Sequence, residues 1–253
     1  MRNPPRVGCV QYLNARPLIY GWEGPVHLDH PAVLCRLLSK GELDVALVSS
    51  FEYLRNPIYS IVDGVAIGSD GPVYSVGVAH QAPMDQVTEI EIDPASETSA
   101  NLLRGLLAER NLNPKLVLAS GSAKPERAQL LIGDQAIRFR QQHNDYSFWD
   151  LGEEWRNQTD RPFVYALWLI RPEVPKPSQI ADRLRALRDL NLGRMSDLIA
   201  TEKEFDPEFC LHYYRDHLRF NFGEKEREGL GMFQTLCVKC GLLPGPELRL
   251  TLL

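Results

Sequence analysis

Along the chain, short apolar runs bounded by turn residues alternate with segments whose apolar positions recur every three or four residues. Val7, Cys9 and Val10 lie in a first buried strand, and "GPVHLDH" reads as a second. Pro31 opens a helix that stops near Gly41, residues 45–48 follow as a buried strand, and "FEYLR" starts another helix. "GPVYSVGVAH" and "VTEIEID" supply further strands. In "PASETSANLLRGLLAER", Leu102, Leu103, Leu106 and Leu107 share one helical face, so that helix opens on the hydroxyls of Ser96, Thr98 and Ser99. "PKLVLAS" and "AQLLIGD" are apolar strands, "QAIRFRQQH" is a helix, "FWDLGEEWRNQT" is a short helix, and "PFVYALWLI" is a long strand. Beyond it, residues 178–200, 207–217 and 224–240 read as successive helices.

This alternation predicts an α/β fold of two lobes with a cleft between them. The strands "YSVGVAH" and "PFVYALWLI" are the expected passages, which assigns residues 1–80 and 168–253 to the first lobe and 81–167 to the second. In such sheets, small molecules bind beyond the carboxyl ends of strands, where loops feed helix N-termini.

Composition narrows the ligand. The 253 residues are 44% hydrophobic and carry a formal net charge of −5, which disfavours nucleic acid and anionic membranes as partners, since both require a cationic face. "MRNPPRVGCV" lacks the apolar core of about 7 to 15 residues that a secretion signal needs, so a cytoplasmic location is expected. Five scattered cysteines fit reduced thiols rather than a disulfide framework.

The residues that follow the strands are mostly neutral hydrogen-bonding groups: Asn14 with Arg16, Ser49 with Ser50, Ser69 and Ser75 around Gly71-Pro72, the Ser96–Thr98–Ser99 cluster, and Gly133-Asp134. Hydroxyls and free N–H groups at helix N-termini suit a carboxylate, and there is no Walker or Rossmann glycine pattern to suit a phosphate. Each group has a plainer role as well. Ser96, Thr98 and Ser99 could only cap their helix, Ser49 and Ser50 only start "FEYLR", and Asp134 only cap "QAIRFRQQH". Asn14 could serve a turn, and Arg16 an ion pair.

Other motifs point away from common chemistries. The six histidines show no metal-ligand spacing. Cys237 and Cys240 lie on one apolar helical stripe with Leu230 and Phe233, so they read as core. There is no Gly-x-Ser-x-Gly elbow to support acyl transfer.

The segments "QYLNARPLIYG", "GELDVALVSSFEY", "GSDGPVYSVGVAH", "SETSANLLRGLL", "AQLLIGDQAI", "DLGEEWRNQTDRPFVYALW" and "GEKEREGLGMF" together resemble the chorismate dehydratase family of the futalosine route to menaquinone, in order and over nearly the whole chain. The resemblance implies a fold like type II periplasmic solute-binding proteins and dehydration of chorismate to 3-[(1-carboxyvinyl)oxy]benzoate without a metal or organic cofactor. Gln11 stands where the family is expected to carry serine. A sister family, 1,4-dihydroxy-6-naphthoate synthase, is expected to carry a catalytic histidine where this chain has Gly133. A non-catalytic carboxylate-binding protein of the same fold is the remaining alternative.

Against chorismate, Asn14 becomes the group that places the leaving hydroxyl, and Ser75, Thr98 and Ser99 become holders of carboxylates. Arg16, Ser49, Ser50, Ser96 and Gly133 complete the expected binding set. The substrate's own enolpyruvyl carboxylate is the expected proton acceptor, with Asp134 as the rival base. A monomer or homodimer is expected.

Overall fold

The computed structural model describes residues 4–93, 97–118, 127–245 and 248–253. Among the described residues, ten strands form two five-stranded sheets. The first contains β1 (Val7–Val10), β2 (Val26–Asp29), β3 (Val45–Ser49), β4 (Ser60–Ser69) and β10 (Phe163–Ile170), in the order β2-β1-β3-β10-β4. The second contains β5 (Val76–His80), β6 (Glu89–Ile92), β7 (Lys115–Leu118), β8 (Arg127–Ile132) and β9 (Ser147–Asp150), in the order β7-β6-β8-β5-β9.

The two sheets follow one plan. Three parallel strands, β2-β1-β3 or β7-β6-β8, are joined to a fourth that runs antiparallel to its neighbours. That fourth strand is β10 in the first sheet and β5 in the second. Each is the strand on which the chain enters its sheet from the other lobe. All eight residues of β10 are buried between β3 and β4, which explains the unbroken apolar run that marks it in the sequence.

Sheet membership moves the crossings from the positions expected from sequence. Residues 76–80 pair with β8 and β9 and so belong to the second sheet, whereas residues 163–167 pair with β3 and β4 and so belong to the first. The chain therefore crosses at 70–75 and returns at 160–162. An apolar strand looks the same in sequence whichever sheet it completes.

Helices fill the connections: α1 (Arg16–Ile19), α2 (Pro31–Ser39), α3 (Ser50–Arg55), α4 (Glu97–Glu109), α5 (Gly133–Gln142), α6 (Leu151–Thr159), α7 (Pro177–Gly193), α8 (Met195–Ala200), α9 (Pro207–His212) and α10 (Glu224–Lys239). A 3-10 turn at Leu13–Ala15 precedes α1, and a π-helical turn at Tyr213–His217 follows α9. Three local readings change. Strand β4 was not expected, because Asp63 and Gly64, the latter at φ +79°, interrupt its apolar pattern. "FWDLGEEWRNQT" divides at Asp150, whose carboxylate accepts the N–H groups of Gly152 and Glu153 and so starts α6 only after β9 has ended. The helix expected over 178–200 breaks between α7 and α8 at Arg194.

Asp150 also accepts the N–H groups of Val73 and Tyr74, at 3.0 and 2.8 Å. One buried carboxylate thus ties the outgoing crossing to the first turn of α6 and satisfies four backbone donors. Cys237, together with Leu230 and Phe233, is buried in the core. Among the described residues, no helix is long and apolar enough to cross a membrane.

Candidate functional site

Between the two sheets, a pocket lies beyond the carboxyl ends of β1, β3 and β8. Asn14 reaches it from the turn after β1, Ser49 from the end of β3, and Gly133 from the start of α5. Thr98 and Ser99 come from the first turn of α4, and Ser75 from the crossing. Val10, Ile67, Val73, Val76 and Ile132 supply apolar walls. A few neutral polar groups on an apolar lining can orient a small ligand and exclude water from it.

The hydroxyls meet across the lobes. Ser49 and Thr98 share a short hydrogen bond, and Thr98 Oγ1 accepts the Phe51 N–H at 3.1 Å, so a side chain of α4 serves the start of α3. Ser50 donates its hydroxyl to the Val164 carbonyl at 2.7 Å and is wholly buried; it supports the wall rather than lining the cavity. Ser96 lies outside the described residues.

Arg16 departs from its expected binding role. Its guanidinium pairs with Glu202 and donates to Thr201 Oγ1 at 2.6 Å, and it is not part of the cavity lining. The ion-pair alternative is the one the fold realises: Arg16 opens α1, with Pro17 following it, and its side chain meets residues 201 and 202, just after α8.

Asp134 is not an N-cap. It sits in the first turn of α5 behind Gly133, and its carboxylate accepts the Leu13 N–H at 2.9 Å. Burial pushes its carboxyl up to about 6, although the Leu13 N–H and the Arg138 guanidinium act in the opposite direction. Gly133 lines the cavity and Asp134 does not. The glycine is required locally, because its φ is +56° and an added Cβ would lie 2.9 Å from Tyr12 Cγ.

Several site residues escaped the sequence reading. Tyr12 and Tyr165 line the cavity, and Glu97 lines it with its carboxylate paired to Arg55 at 2.6 Å. Tyr213 donates to Ser75 Oγ at 2.6 Å. Tyr12 lies inside the quoted "QYLNARPLIYG" and could have been found there. Tyr213 gives no such signal, because it sits in a helical stretch far from any strand end.

Among the described residues, the side-chain oxygen of Asn14, which lines the cavity, is buried without a hydrogen-bond partner. A buried acceptor left unpaired is costly unless a ligand completes it.

A sequence model described as menaquinone biosynthesis matches residues 5–239 of this chain. The chain belongs to the menaquinone-biosynthesis family. It is 30% identical to the chorismate dehydratase of Thermus thermophilus, over 90% of this chain and 93% of that protein. Among solved structures, protein AF1704 of Archaeoglobus fulgidus is similar, with a TM-score of 0.71, 20% identity, and coverage of 94% of this chain and 98% of that one. The alkanesulfonate-binding protein SsuA of Xanthomonas axonopodis pv. citri, solved bound to MOPS, gives a TM-score of 0.69 at 14% identity, covering 97% and 96% of the two chains. A Candida albicans protein described as having the generic periplasmic binding protein fold gives 0.66 at 10% identity, covering 97% and 92%. The menaquinone-biosynthesis family member described here therefore has the two-lobed periplasmic-binding-protein fold expected from its sequence.

Proposed function

We propose that this protein is a lyase that dehydrates chorismate to 3-[(1-carboxyvinyl)oxy]benzoate in the cytoplasm. The observation that carries the reading is the 30% identity to a chorismate dehydratase over 90% of the chain. The cavity is consistent with it: a dicarboxylate with a ring hydroxyl meets hydroxyls, an amide and an apolar wall, and the one carboxylate among the described lining residues, Glu97, is paired with Arg55.

In the proposed reaction, the C–H bond at the ether-bearing ring carbon breaks and its electron pair forms the new ring double bond. The C–O bond of the neighbouring hydroxyl breaks, and the departing hydroxide leaves as water with the proton taken from the ring carbon, relayed by the substrate's enolpyruvyl carboxylate. Aromaticity supplies much of the driving force, so the protein has mainly to orient and polarise. Ser75, Thr98 and Ser99 hold carboxylates, and Asn14 places the leaving oxygen. The enolpyruvyl carboxylate of the substrate takes the proton. This assignment is supported by the position of Asp134, which is turned to the Leu13 N–H instead of lining the cavity. Asp134 then acts by fixing the turn that carries Asn14.

The test is to incubate the purified protein with chorismate and follow the product by mass and ultraviolet absorbance. An aromatic product lighter by one water is expected. Chorismate retained unchanged by the protein would instead indicate a binding protein, and inert chorismate with no binding would remove the proposal altogether.

A further inference from the structure

Ser75 joins the cavity wall through a strained reversal of the backbone. Its N–H donates to the Val73 carbonyl at 2.8 Å, and the residue between them, Tyr74, has φ +66°. Together these define the rare, strained form of γ-turn, whose central residue lies in a left-handed region that glycine enters freely and a bulky side chain does not. The turn stands at the outgoing crossing, and Val73 and Ser75 on either side of Tyr74 both line the cavity.

The side chain of Arg140, on α5, accounts for a tyrosine at that position. Its Nη1 donates to the Tyr74 carbonyl at 3.0 Å and lies 3.5 Å from Asp150 Oδ2. Asp150 in turn accepts the Tyr74 N–H at 2.8 Å, so one ion pair occupies both backbone polar groups of Tyr74. The guanidinium also lies over two rings, with Cζ 3.9 Å from the centroid of Tyr74 and 4.4 Å from that of Phe148 on β9. The Tyr74 ring meets Phe209 and His217 as well, with centroids 5.3 and 5.4 Å away. A strained backbone persists only where its surroundings over-determine it, and here they do. Glycine at 74 would take the same turn unaided, but would leave Arg140 no ring to cover.

We propose that Arg140 is a positioning residue: by holding the carbonyl and the ring of Tyr74 it keeps the turn closed, and so fixes Ser75 at the cavity wall. The inference rests on the proposed dehydration only for its kinetic arm.

That arm compares chorismate turnover in wild type, Arg140→Met, Tyr74→Gly and Tyr74→Ala. Arg110→Met is the reference, because Arg110 likewise pairs with a buried carboxylate, Glu154 at 2.6 Å, and faces a ring, Trp149 at 5.5 Å, yet does not line the cavity. Ser75 meets a carboxylate in substrate and transition state alike, so Arg140→Met is expected to raise KM about tenfold with kcat within about threefold. In a Ser75→Ala background the same substitution should cost less than about threefold, because Arg140 acts through Ser75. Tyr74→Gly and Tyr74→Ala both remove the ring, and only alanine must bear the positive φ, so KM should be at least about threefold higher with alanine. Arg110→Met should leave KM within about twofold of wild type.

The second arm needs no activity. Amide hydrogen exchange at Val73, Tyr74 and Ser75, followed by NMR, should speed up in Arg140→Met by about tenfold more than exchange at Leu102 and Leu103 inside α4, which reports global opening. Arg110→Met should show no such excess. Alanine matching or outperforming glycine at 74, an equal loss from Arg140→Met with and without the Ser75 hydroxyl, or turn amides that exchange at the wild-type rate would each overturn the proposal. If Tyr74→Ala fails to fold where Tyr74→Gly folds, the strain at 74 is upheld and Arg140→Met decides the link to Ser75. If wild-type protein leaves chorismate untouched, the dehydratase reading fails while the exchange rates still decide the role of Arg140.

Discussion

The Asp134 carboxylate, on α5 of the second lobe, accepts the backbone N–H of Leu13 in the first lobe at 2.9 Å, one residue before Asn14. The contact joins the lobes at the point where the leaving oxygen is to be placed. Asparagine at 134 keeps an oxygen acceptor for that N–H. Asp134→Asn should therefore retain at least about a third of wild-type turnover, whereas removal of a general base would cost about 10²-fold or more. Steady-state kinetics with chorismate separates the two.

The same residue sets a pH dependence of stability. Burial raises Asp134 from 3.8 to about 6, so between those values the folded protein keeps a proton that the unfolded chain has released. Stability from this group is present below about pH 4 and falls as pH rises through 6. Arg138, Glu204 and Arg16 are the charged groups that act on it. Relative to wild type, Asp134→Asn should gain on the order of 2 kcal/mol between pH 4 and pH 7. Urea denaturation at several pH values would measure that gain, and a constant difference would contradict it.

Asn14 and Arg16 should separate cleanly in mutation. Asn14→Asp puts a negative charge beside a dianion and should suppress turnover by about 10²-fold or more while the fold persists. Arg16→Gln breaks the partly buried pair with Glu202 and should cost about 1 to 3 kcal/mol of stability, with KM within about threefold of wild type. Kinetics and thermal melts on both variants give the comparison.

Gly133→Ala meets two obstacles at once, a positive φ and the ring of Tyr12 at 2.9 Å. The expected cost is about 1 to 3 kcal/mol, together with a raised KM as Tyr12 is driven into the cavity it lines. A variant as stable and as tightly binding as wild type would show that the ring yields freely.

Gly229 on α10 tests the packing at the return crossing. An added Cβ would lie 2.1 Å from the Pro162 carbonyl oxygen, a backbone atom that cannot rotate away. Gly229→Ala should destabilise the protein by at least about 2 kcal/mol, read as a lowered Tm, with little change in KM for whatever fraction remains folded.

The sequence by itself determined the α/β class, most strand and helix positions, and the polar groups at the ends of β1, β3 and β8. It could do so because alternation, apolar runs and helix starts are local properties of the chain. It did not show β4, where Asp63 and Gly64 interrupt the apolar pattern. Nor did it show which sheet β5 and β10 complete, since pairing partners lie tens of residues away.

Only the tertiary structure decided how the polar groups are used. It turned Arg16 to Glu202, spent the Ser50 hydroxyl on Val164, aimed Asp134 at Leu13, and brought Tyr213 to Ser75 across 138 positions. A hydroxyl or carboxylate is written identically in sequence whether it meets a ligand or a neighbour. The difference arises when folding removes it from water and only particular partners remain within reach.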